Sequence, residues 1–209
     1  DVTLELTTGP YLVLAGVEVE PEGLLVPSVF RRQVKLETGR ALNLLDVESG
    51  RRRLLSLGIF RDVMVEEERL GAGKAVARYT LDPLPQRTLK LLVGWGSYEL
   101  GRAGISWERL NLWERGHRYG VEAKKSFKSH MIQGTYVVPH FFDQRITAYG
   151  RIGHEFREEI SFDRTTTRVG LGASRRMKTP GAEISVEYGY EKVDTTRGTD
   201  EDFDSLDQA

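Results

Sequence analysis

At 209 residues the chain is long enough for one large or two small domains with a buried core. Its net charge of -1 creates no global field for nucleic acid or an anionic membrane, and with no cysteine it has neither a disulfide framework nor thiolate chemistry. No run nears the roughly 18 apolar residues of a membrane helix, and the opening DVTLELTTGP lacks the basic and apolar stretches of a signal peptide.

Val2, Leu4 and Leu6 alternate like a strand already under way, so the chain reads as an excised piece. YLVLAGVEVE, from Tyr11, predicts a strand by its β-branched and aromatic content, and EPEG a turn. Val26, Val29, Phe30 and Val34 then recur at helical spacing up to Gly39. A second helix is predicted from an N-cap at Asn43 or Asp46, with Val47, Arg51, Leu54 and Leu55 on one side and Gly58 as a left-handed stop. FRDVMVEEE alternates as a strand, with one slip of register between Phe60 and Val63. GAGK turns the chain into a second strand, AVARYTL, giving the order β-α-α-β-β. The triplet Arg51, Arg52 and Arg53 reads as a solvated helix end favourable to the helix dipole, because no aromatic interleaving or second basic cluster supports nucleic-acid binding.

After DPLPQR, a stiff linker around Pro83 and Pro85, every segment alternates on a period of two. Leu89, Leu91, Val93 and Trp95 share a face opposite Lys90, Gly94 and Gly96. The same pattern recurs around Ile105, Val121, Ile132, Ile152, Leu171 and Val186, which makes about seven candidate strands. Three details favour a transmembrane barrel over a soluble sandwich. The strands are about ten residues long, the length a tilted strand needs to cross a bilayer. Their second face is charged and rich in glycine, as a wet lumen would be. Trp95, Trp107, Trp113, Tyr119, Phe127, Tyr188 and Tyr190 crowd the strand ends, where an interfacial girdle belongs.

Several motifs in this order resemble the Omp85 family of outer-membrane assembly proteins. They are GPYLVLAGVEVE, RRRLLSLGIFRDVMVE, the hairpin NLWERGHRYGVEA and the turn YVVPHFFDQRITAYG, spread across nearly the whole chain. The hairpin departs from the family pattern at Glu114, where glycine is usual. The resemblance implies an α+β POTRA domain (β-α-α-β-β) followed by antiparallel transmembrane β-barrel strands. Residues 1–10 would end a preceding POTRA domain, 11–84 form a POTRA domain, 85–88 a linker, and 89–209 the N-terminal part of the barrel. About seven strands make only a partial barrel, since such barrels carry more.

The resemblance further implies a bacterial outer-membrane location, with the POTRA domain in the periplasm. Expected partners are unfolded outer-membrane or secreted polypeptide clients, the lipid bilayer, and accessory periplasmic or inner-membrane subunits, with no nucleic acid. Clients would pair with the edge formed by Phe60, Arg61, Asp62, Val63, Met64, Val65 and Glu66. The first barrel strand, through Leu89, Leu91, Val93 and Trp95, would form a lateral seam. A two-partner-type secretion pore is the alternative.

No enzyme and no cofactor are expected. His117, His130, His140 and His154 lack the close pairing of a helical zinc motif and read as loop and interface residues. GWGSYELG is followed by strand rather than helix, so it forms no phosphate cradle. Asp200, Asp202 and Asp204 have calcium-loop spacing, but Ser205 replaces the required glycine.

Overall fold

The computed structural model describes residues 11–97, 100–142, 146–177 and 181–197. The expected end of a preceding domain at 1–10 and the acidic run at 200–204 lie outside them. The chain divides into two units, one of residues up to Gln86 with the turn Asn111–Gly116, the other of Arg87–Leu110 with residues from His117 onward.

The first unit runs β1 (Val13–Glu20), α1 (Pro27–Val34), α2 (Leu44–Leu55), β2 (Phe60–Gly71) and β3 (Lys74–Pro83). Its sheet has the order β1-β3-β2, with β1 parallel and β2 antiparallel to the central β3. Both helices pack beside this sheet. Leu14, Val34, Leu54, Leu57, Val63 and Tyr79 are its most deeply buried large side chains, and the Phe30 and Tyr79 rings meet edge to face at 5.7 Å. The Tyr79 hydroxyl donates to the Val47 carbonyl of α2 at 3.1 Å, which satisfies the one polar atom of a fully buried ring.

The predicted slip between Phe60 and Val63 appears as a β-bulge between Phe60 and Asp62. Asn43 caps α2, its side chain accepting from the Leu45 N–H at 3.0 Å. Gly58 has φ 70°, as a left-handed stop requires, and the chain then enters β2. The buried side of α2 is Val47, Gly50 and Leu54, whereas Arg51 and Leu55 are half-buried.

Two sequence expectations need correction. Helix α1 ends at Val34, not near Gly39, and Lys35 takes the left-handed cap with φ 55°, its N–H bonded to Arg31 O. The chain must leave the helix there because Gly39 N–H donates to Leu14 O and Leu14 N–H to Arg40 O, tying 39–41 to β1. The arginine triplet is also not simply solvated. Arg53 reaches back to α1 and donates to the carbonyls of Gln33 and Val34, the orphan acceptors of that helix end.

The second unit is a seven-stranded antiparallel sheet of β4 (Arg87–Gly96), β5 (Leu100–Leu112), β6 (His117–Ser126), β7 (Ser129–Val138), β8 (Ile146–Glu158), β9 (Phe162–Arg176) and β10 (Glu183–Arg197). Neighbours in the sheet are neighbours in sequence, so it is a meander of hairpins. The registers keep the apolar sets on one face: Leu91 lies opposite Ile105, Val121 opposite Gly134, Ile152 opposite Val169, and Leu171 opposite Tyr188. The long apolar side chains of that face are largely exposed, Leu91 at 74% and Val93 at 87%. A water-exposed sheet would not carry so continuous an apolar surface.

Candidate functional site

Among the described residues, strand β2 pairs on one side only, with β3, and its other flank is a sheet edge. Phe60, Arg61, Asp62, Val63, Met64, Val65 and Glu66 all lie along it. Phe60 and Val63 point into the core, while Met64 is 54% exposed and Glu66, Glu67 and Glu68 are exposed.

Hydrogen bonds fix which backbone groups face outward. Val63 N–H donates to Asp62 Oδ1 at 2.8 Å, and Arg51 Nη1 donates to Val63 O at 3.4 Å. Both polar groups of Val63 are thus taken by side chains and point away from β3. In an antiparallel ladder the direction alternates, so Val65 and Glu67 also face the free edge, whereas Met64 and Glu66 face β3. Arg51 is held in place by a two-pronged bond to Glu48 at 2.8 and 2.9 Å. That hydrogen bond keeps the Glu48 carboxyl below its usual range and the Arg51 guanidinium above its own. Among the described residues, the edge is therefore covered at Val63 and uncovered from Val65 onward.

The predicted seam strand β4 stands at one end of the seven-stranded sheet, paired with β5. Leu89, Leu91, Val93 and Trp95 share its apolar face opposite Trp107, Ile105, Ala103 and Gly101. Gly94 is covered by the Arg102 side chain from across the pair, and a Cβ on Gly96 would meet nothing within 4 Å.

The opposite, polar face carries side-chain ladders that sequence reading did not single out. Tyr149 lies across Gly172, where a Cβ would overlap its ring. Its hydroxyl donates to Glu187 at 2.9 Å, and Arg151 sits 4.7 Å over the ring and 3.4 Å from the same carboxylate. Arg168 bridges Glu155 at 3.4 Å and Glu191 at 3.3 Å, joining β8, β9 and β10. The signal was present as charges alternating with glycine, but its pairing needed the register.

The turn Asn111–Gly116 lies within the motif NLWERGHRYGVEA. Asn111 is buried with φ 53°, its Oδ1 accepting from Gly116 N–H at 2.9 Å and its Nδ2 donating to Leu24 O at 2.6 Å. Val26 N–H donates to Glu114 O at 2.9 Å, so the non-glycine residue at 114 contributes its backbone here. Among the described residues, no group of three or more His, Asp or Glu side chains is arranged to hold a metal ion. His130 and His154, expected as loop and interface residues, lie on strands β7 and β8, diagonal to each other with ring centroids 6.5 Å apart.

An α+β unit followed by an antiparallel sheet with one apolar and one ion-paired face defines a β-barrel membrane protein. No family model matches the chain. Over 133 residues it is 29% identical to the outer membrane protein assembly factor BamA of Neorickettsia risticii (strain Illinois), covering 63% of this chain and 18% of that protein. The structure of BamA from Haemophilus ducreyi lacking POTRA domains 1–3 matches with a TM-score of 0.66 at 15% identity, covering 88% of this chain and 36% of that one. CdiB from Acinetobacter baumannii matches at 0.64 with 11% identity, covering 90% and 39%. The chain thus spans under a fifth of its curated relative and less than two fifths of these solved structures. Its sequence and fold are thus similar to those of outer-membrane proteins of the Omp85 family.

Proposed function

We propose that the chain is part of an outer-membrane protein assembly factor. The first unit is read as a POTRA domain in the periplasm that captures unfolded polypeptide clients by strand addition. The observation that carries this is the β2 edge, whose outward backbone groups at Val65 and Glu67 follow a covered Val63. A client strand would bond there, with Glu66, Glu67 and Glu68 beside it. The barrel strand β4, paired with β5 on one flank, would then offer clients a lateral seam where its other flank meets the last strand of the full-length barrel. Accessory periplasmic or inner-membrane subunits belong to this reading as further partners.

A two-partner-type secretion pore is the second reading, in which the ion-paired face of β8–β10 lines the path of a polypeptide. The fold agrees with CdiB nearly as well as with BamA, at TM-scores of 0.64 and 0.66.

The test of the client edge is a proline scan in the full-length protein with client crosslinking as the readout. Val65→Pro removes an outward donor and should abolish crosslinking while the protein stays folded. Met64→Pro removes a donor to β3 and should unfold the unit instead. Undiminished crosslinking in folded Val65→Pro would refute capture at this edge.

A further inference from the structure

The outward face of the second unit is not evenly covered. Gly134 and Gly150 interrupt its apolar rows, and between Tyr119, Tyr136, Ile132, Ile152 and Leu171 they leave a groove of about 670 Å³. That lies within the roughly 300–1,000 Å³ of small-molecule sites. Its lining is almost wholly apolar except at one end, where His154 and Thr167 close it. Thr167 Oγ1 lies 2.9 Å from His154 Nδ1, which orients the ring and leaves Nε2 as the remaining nitrogen.

Beyond His154 the same face becomes basic. His130 stacks on Phe156 at 5.1 Å, and Lys125 lies directly opposite His130 in the β6–β7 register. Lys192 occupies the level of His154 on β10, opposite Thr167, with Asp194 at 2.9 Å. Of the acids of this face, Asp194 shares the row of Lys125 and His130 but lies three strands from His130 and is paired with Lys192, and Glu158 and Asp163 stand one row farther out. An apolar groove that runs into imidazoles and a lysine has the polarity of a lipid, with a chain at one end and an anionic head at the other.

We propose that this groove is a binding site for one anionic phospholipid, its acyl chain over Gly134 and Gly150 and its phosphate against Lys125, His130 and His154. The inference rests on the apolar face meeting the bilayer and does not depend on which clients the protein handles. Retained at this place, the lipid would fill the gap in the outward surface across β7, β8 and β9.

The test is native mass spectrometry of the full-length protein in detergent, titrated with phosphatidylglycerol or with phosphatidylcholine of the same chains. The wild type should retain one phosphatidylglycerol at lower concentration than phosphatidylcholine. Gly134→Leu, which fills the groove, should weaken both about tenfold, the equivalent of losing contact with two or so methylenes. The double variant Lys125→Ala and His130→Ala changes exposed side chains only and should erase the preference while leaving chain binding intact. Equal retention of the two lipids by the wild type, or a preference that survives the double variant, would overturn the site even if Gly134→Leu failed to fold. Tryptophan quenching by brominated lipid reports separately whether the face meets the bilayer, so failure of the groove is distinguishable from failure of the barrel reading.

Discussion

The guanidinium of Arg53, on α2, donates to the carbonyl of Val34, the last residue of α1, at 2.8 Å. A charge placed on the orphan acceptors of a helix end answers both their hydrogen-bonding need and the helix dipole. Burial pushes this guanidinium below its usual value, yet it stays far from deprotonation. Arg53→Ala is therefore expected to destabilise the first unit by about 1–2 kcal/mol, since charge-assisted bonds contribute somewhat more than neutral ones. Arg52→Ala, whose side chain pairs weakly with Glu48 at 3.9 Å, should cost far less. Denaturant melts of the two variants check the contrast.

A second expectation concerns Tyr79. Burial pushes its phenol up from 10.0 to about 12. A group whose folded-state value is raised contributes stability that is complete below pH 10 and lost as pH rises from 10 through about 12. The first unit should lose stability across that window. Tyr79→Phe should be less stable at pH 7, having lost the bond to Val47 O, and show a flatter decline above pH 10. Urea midpoints measured at several pH values compare the slopes.

In the barrel strands, Tyr149 occupies the space that a side chain at residue 172 would need. Gly172→Ala should displace the ring from Glu187 and weaken the β8–β9 contact, by about 1–3 kcal/mol as for other overpacked sites. Tyr149→Ala should relieve much of that cost in the double variant. Thermal stability of the folded barrel, followed by gel mobility without boiling, measures the coupling.

Much of this was legible in the residues. Alternation of Leu89, Leu91, Val93 and Trp95 specifies a strand and its apolar face, because the period of two is local. Gly58 and the slip after Phe60 were legible for the same reason: positive φ and broken alternation leave their mark within a few residues. What escaped depends on distant partners. The end of α1 at Lys35 is set by pairing of 39–41 with β1, and nothing in VPSVFRRQVKL announces it. Arg53 bonds a carbonyl 19 residues away and Asn111 one 87 residues away, separations at which sequence spacing carries no geometry. His130 and His154 come together only through the β7–β8 register. The β2 edge proposed for clients was legible as a strand, but which of its amides faces outward became visible only through the bonds at Val63.

The central claim, that clients leave through a lateral seam at β4, is tested most directly by locking that strand. The chain has no cysteine, so a disulfide can be placed cleanly between position 91 and the last barrel strand of the full-length protein. Client insertion into proteoliposomes is then measured before and after reduction. Insertion blocked in the oxidised protein and restored by reductant is the predicted result; full activity in the locked protein would contradict the seam and favour passage through the lumen.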